Sequence, residues 1–218
     1  MPAAEYPQSQ KDKITSYLLV MDEVRARLEV LNSVVSNPTM HFGLVIEICY
    51  LQFRHIAELV AIACLLAYGD FEAYKSFDKE YSPAEVFKHL DRIWPHFFPQ
   101  PVTRSIQDGV HHIEANSKPN AMSRKEMETL WSKSGDKLHR LSISKFFKQQ
   151  PSVLEHALDQ VKSITAKIID LLNEHTITLP SPKRMLVVAL YQPDCRVRAQ
   201  SIIYGENNTM QIEEFILK

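Results

Sequence analysis

The stretch from Gly43 to Tyr68 is apolar in nearly every direction, and this limits the folds open to the chain more than any other feature. Its polar members are Glu47, Gln52, Arg54, His55 and Glu58. At about 100° per residue on a helix, Glu47, Arg54 and Glu58 fall within roughly 40° of one another. Leu44, Val45, Ile46, Ile48, Leu51, Phe53, Ile56, Leu59, Val60, Ile62, Leu65 and Leu66 cover the other directions. A helix that is hydrophobic all round belongs in a core, so the charged stripe is expected inside the protein. Buried charge is costly unless paired. The stripe therefore reads either as a salt-bridged strut or as the floor of a site.

The same stretch is long enough to cross a bilayer. Arg54, His55 and Glu58 would then lie near the midplane, where an Arg or an acidic residue costs roughly 2.5–3.5 kcal/mol. A membrane span is not expected. Met1 to Lys13 carries no apolar h-region of the kind a signal peptide needs. The three cysteines, Cys49, Cys64 and Cys195, form no C-x-x-C pair, and two of them lie in the apolar helix. The expected location is the cytoplasm. With a net charge of −1, attraction to nucleic acid or to an acidic membrane requires a local basic surface.

Other helices are legible around this one. Lys11 to Val35 repeats Ile14, Met21, Leu28 and Val35 every seven positions, with Tyr17, Val24 and Leu31 between them, the narrow seam of an amphipathic helix. Asn37-Pro38 ends it, and Thr39 is a candidate cap for the next. Ser82-Pro83-Ala84-Glu85 is a strong start signal for a helix to about Ile93. Ser123-Arg124-Lys125-Glu126 opens a fourth helix, in which Gly135 weakens the last turn. Pro151 opens a fifth through about His175, with Val161 and Ile168 on its seam.

Strand signals are fewer. Val102–Ile106 and Val110–Glu114 flank Asp108-Gly109 and read as a hairpin. Met185–Tyr191, Arg196–Tyr204 and Met210–Leu217 read as a meander of three antiparallel strands. The expected fold is mainly α: a bundle of about five helices over residues 1–180, with a small internal hairpin. A C-terminal β-meander over 181–218 packs on the same domain.

No G-x-G-x-x-G or G-x-x-x-x-G-K phosphate loop occurs among the five glycines. His55 and Glu58 have the i,i+3 spacing of carboxylate metal bundles in reverse order. No second pair repeats it, so neither metal nor cofactor is expected. The remaining constellation is Gly135-Asp136-Lys137-Leu138-His139-Arg140, which gathers polar groups at a helix end. There the helix dipole favours His⁺ and Arg⁺.

The Arg54-to-Glu58 helix, followed later by a helix ending in Gly135-Asp136-Lys137-Leu138-His139-Arg140, is similar to an arrangement in small bacterial helical-bundle proteins. It resembles the HEPN class over roughly Lys11 to His175. Members of that class carry Arg-x(4–6)-His at a helix start, where Arg and His from two protomers meet at a dimer cleft. Many are RNases, or RNA- and nucleotide-binding partners of toxin or defence systems. Here Lys133, not an arginine, stands near the upstream place. The resemblance implies an RNA- or nucleotide-binding protein. It also implies an RNase alternative with His139 as general acid/base and Arg140 or Arg54 holding phosphate. The candidate catalytic residues are thus His139 and Arg140, and the candidate binding residues Arg54, Glu58, Glu47 and Asp136. The heptad seams suggest a homodimer, and a purely structural dimer is the remaining alternative.

Overall fold

The computed structural model describes residues 10–37, 39–69, 82–107, 110–115, 118–138, 151–180, 184–191, 196–204 and 210–217. Among them are helices α1 (Gln10–Val35), α2 (Phe42–Tyr68), α3 (Pro83–Ile93), α4 (Arg124–Leu138) and α5 (Pro151–Leu172). The strands are β1 (Gln100–Gln107), β2 (Val110–Ala115), β3 (Glu174–Thr178), β4 (Arg184–Ala189), β5 (Arg198–Tyr204) and β6 (Met210–Ile216). Asp108-Gly109, Cys195, His139 and Arg140 lie outside the described residues.

Helix α2 is the hub, touching α1, α3, α4 and α5. It is long and apolar enough to cross a membrane, yet 61% of its most apolar window is buried inside the fold. Ile46, Phe53, Ile56 and Val60 are almost wholly inaccessible. The helix ends at Gly69, whose φ of 78° closes the last turn by an N–H donated to the Leu65 carbonyl at 2.9 Å. That left-handed conformation suits glycine because it has no Cβ to clash. At the other end, Thr39 is no cap: its N–H and hydroxyl both turn back to the Asn37 side chain. His41 occupies the cap position without a side-chain bond.

The seam of α1 is spent inside the chain. Ile14, Tyr17, Met21, Val24, Leu28 and Leu31 are at most 1% exposed, and α1 packs chiefly on α2. Arg27 on α1 donates to Gln52 on α2 at 3.0 Å, fixing the register of the pair.

The expected mainly-α fold needs correcting, because the hairpin and the meander are parts of one sheet. Six antiparallel strands run in the order β2-β1-β3-β4-β5-β6, which makes the architecture mixed α/β. The element missing from the expectation is β3, which follows α5 almost directly and takes the residues assigned to that helix's end. It pairs with β1 through Gln100↔Thr176 and Pro101↔His175, and with β4 from Glu174↔Ala189 to Thr178↔Met185. The sheet thereby joins strands from either side of residue 180.

One sheet face carries His175, Ile177, Leu186, Val188, Ala199 and Phe215. The apolar members among them join the main helical core. The other face holds a smaller cluster of Val102, Val187 and Ile202, with Met185 beside it.

Candidate functional site

The charged stripe of α2 lies at the edge of the core, half-buried, against α4. Side-chain exposures are 32% for Arg54, 22% for Glu58 and 39% for His55, so the expectation of charges sealed inside is corrected. The reason is the position of the stripe on the helix: α4 covers one of its flanks, and the outer face of α2 next to it is open. Leu44 and Leu51 on that outer face are 51% and 38% exposed.

Glu58 organises the cluster. Its Oε1 accepts the Trp131 indole N–H from α4 at 2.8 Å and the Arg54 Nε–H at 3.2 Å. Its Oε2 faces His55 Nδ1 at 3.3 Å. The Arg54 guanidinium lies over the Trp131 ring, 4.7 Å from its centroid, a cation–π contact that covers one side of the ion pair. Gly135, one turn along α4, supplies the room. A Cβ built there would come within 2.8 Å of Arg54 Nη1. The glycine that weakens the helix by propensity is where the arginine passes.

Charge, ring and missing side chain thus lock α4 onto α2. Glu47 is half-buried two turns before Arg54 on the same helix, and Asp136 is exposed on α4. Of the residues selected from sequence, the structure brings Arg54 and Glu58 together. Asp136 points to solvent, and His139 and Arg140 lie beyond the described part of α4.

Locking α4 in place shapes a cleft of about 500 Å³ on its other side, between α4 and α5. The floor is Tyr50 from α2 with Met122 and Leu130. The walls are Lys125, Thr129 and Lys133 on α4 and Gln160, Ser163 and Lys167 on α5. Lys137 stands over the Tyr50 ring at 5.8 Å. The one carboxylate in the lining, Glu126, is already committed: it accepts from Lys167 Nζ at 2.6 Å and from the Ser123 N–H and hydroxyl at 2.8 Å each. These donors, Lys167 first, hold its carboxyl down to a pKa of about 2.

Ser123 and Glu126 form a capping box at the start of α4. That carboxylate occupies the positive helix end, which leaves the lysines as the exposed positive groups of the cleft. With Glu126 offset by Lys167, Lys125 and Lys133 set the electrostatic character of the cleft. Its hydroxyl and amide lining adds neutral donors. Lys125, Lys133 and Lys167 were missed by motif reading because lysines have no motif. The retrospective signal is the eight-residue spacing of Lys125 and Lys133, which keeps them on one helix face.

Among the described residues no group of three His, Cys, Asp or Glu side chains is placed to hold a metal ion. Comparisons with protein-family models, curated proteins and solved structures return no match.

Proposed function

We propose that this chain is an intracellular binding protein whose ligand is single-stranded RNA or a nucleotide, with the ligand's phosphates in the α4–α5 cleft. The observation that carries the reading is the charge balance of that cleft. Three lysines line it, and its only acidic side chain is neutralised by one of them. A chain with net charge −1 has no global attraction for polyanions, so binding must come from such a local surface. Lys125 and Lys133 are about 12 Å apart along α4, from the rise of 1.5 Å per residue. That span is wider than one phosphate and is the reach of phosphates about two nucleotides apart on a single strand.

The neutral rim of Ser163, Thr129 and Gln160 can donate to phosphate or sugar oxygens, contacts that position a strand without reading its sequence. The buried free thiols Cys49 and Cys64 support a reducing, cytoplasmic setting.

The test is anisotropy titration of a labelled single-stranded oligoribonucleotide, with a mononucleotide as competitor, on the intact protein and on the Lys125→Ala/Lys133→Ala double variant. Saturable binding should weaken at least tenfold in the variant. Its dependence on log salt should flatten by about 1.4, two contacts at about 0.7 each. Absence of binding at low salt, or equal binding by both proteins, contradicts the reading. Strand cleavage abolished by His139→Ala would move it to the RNase alternative.

A further inference from the structure

A second cleft, of about 440 Å³, adjoins the one between α4 and α5: Met122 and Ser123 line both. One wall is the proline-rich connector from Pro95 to Pro101, which leads from α3 into β1. The other is the segment from Lys118 to Arg124, and Leu171 of α5 completes the lining.

These walls are fixed before any ligand arrives. The rings of Pro95, Pro99 and Pro101 lock φ along the connector, and the Gln100 side chain donates to the Phe98 carbonyl at 3.2 Å. Opposite, the Ala121 N–H donates to the Lys118 carbonyl at 3.1 Å and the Met122 N–H to the Lys167 carbonyl at 3.0 Å. Arg124 ties the walls together, with its guanidinium 5.9 Å from the Phe97 ring centroid and 2.8 Å from Asp91 of α3. A preformed groove spares a ligand the cost of ordering it.

Charge decides what such a groove takes. No carboxylate lines the second cleft. Arg124 is offset by Asp91 and, at 3.7 Å, by Glu128. Lys118 makes no ion pair or side-chain hydrogen bond with a described residue, so it is to this cleft what Lys125 and Lys133 are to the first. Pro95 and Pro119 are exposed at its walls and offer apolar surface on which bases can be withdrawn from water.

We propose that a single strand held in the α4–α5 cleft continues past Met122 and Ser123 into this second cleft, where Lys118 binds a further phosphate. This rests on the reading that the first cleft binds single-stranded RNA. Lys125 and Lys133 span phosphates about two nucleotides apart. A trinucleotide therefore fills the first cleft and leaves Lys118 unused, and only a longer strand engages both clefts.

The experiment is anisotropy titration of the intact protein with an oligouridylate trinucleotide and with one of about eight nucleotides. Wild type is compared with Lys118→Ala, Lys118→Arg and the Lys125→Ala/Lys133→Ala double variant. Lys118→Ala should weaken binding of the longer strand at least fivefold and flatten its dependence on log salt by about 0.7, one phosphate contact. The trinucleotide should bind Lys118→Ala as tightly as wild type, which also shows that the variant is folded. Lys118→Arg, which keeps the charge, should bind both strands as wild type does. The double variant should lose both.

An unchanged affinity of Lys118→Ala for the longer strand, or an equal loss on both lengths, overturns the second cleft. The first-cleft reading stands in that case if the double variant still loses the trinucleotide. Failure of wild type to bind either strand overturns both.

Discussion

The Tyr17–His175 pair and the Arg54–Glu58–Trp131 cluster are built by opposite rules. Beneath α1, Tyr17 and His175 are completely buried. The Tyr17 hydroxyl lies 2.7 Å from His175 Nε2, and His175 Nδ1 lies 2.8 Å from the Leu172 carbonyl. A carbonyl can only accept, so Nδ1 carries the hydrogen and Nε2 accepts from the tyrosine. Both groups stay neutral and every ring nitrogen is satisfied. Burial pushes the His175 pKa down to about 4, against a smaller opposing effect of the Leu172 bond, and pushes that of Tyr17 well up.

Beside α4, the Arg54–Glu58–Trp131 cluster is formally charged and remains partly in water. The sealed site admits only neutral, fully paired groups because a buried charge has no solvent to compensate it. The open edge tolerates charge. There an arginine holds a helix in place, and on the helix's far side lysines line an open cleft.

The sharpest way to break this contrast is His175→Ala. It leaves the Tyr17 hydroxyl unpaired and opens a cavity between α1 and β3, with an expected loss of about 3 kcal/mol or more in a urea melt. A loss under about 1 kcal/mol would place the pair in contact with water and erase the distinction.

Acid stability tests the same site in the native sequence. Unfolded His175 takes up a proton below about pH 6.5, while the folded ring resists until about pH 4. The folded state is therefore undercut as pH falls through that window, by on the order of 3 kcal/mol, and the decline levels off below it. In His175→Gln that component should vanish; an unchanged slope would assign the acid sensitivity elsewhere.

The edge cluster should respond more mildly. Trp131→Phe removes one hydrogen bond to a carboxylate and keeps the ring, for an expected cost of about 1.5 kcal/mol. Arg54→Leu should cost about 1–2 kcal/mol, since Glu58 keeps the Trp131 N–H and access to water. A penalty above about 4 kcal/mol for Arg54→Leu would mean a sealed charge after all. The smallest effect belongs to Lys133→Ala, which touches only the cleft: stability should stay within about 0.5 kcal/mol while affinity for single-stranded RNA falls.

The helices were legible because their signals are local. The seam of α1, the Ser123/Glu126 box and the Pro83 start are each read within a turn or two. The hairpin and the meander were also legible as pairs of neighbouring strands. What joins them was not, because β3 is five residues directly after a helix, and its pairing with β1 bridges about 75 positions of sequence. Arg54 and Glu58 stood out as polar residues on an apolar helix. Their exposure could not be foreseen, since amphipathic pattern says nothing of which flank α4 takes. Trp131 reads from sequence as one more core aromatic, and its indole bond to Glu58 exists only once α4 lies across α2. The cleft is a tertiary object entirely, made by two helices that are separate in sequence.

Amide hydrogen exchange on the intact protein, with and without saturating single-stranded RNA, tests the central claim most directly. Protection should rise in residues 123–133 of α4 and 160–167 of α5, while the outer sheet strands β2 and β6 exchange at unchanged rates. Protection confined to the sheet, or none at either helix under conditions where binding is saturated, would contradict the account.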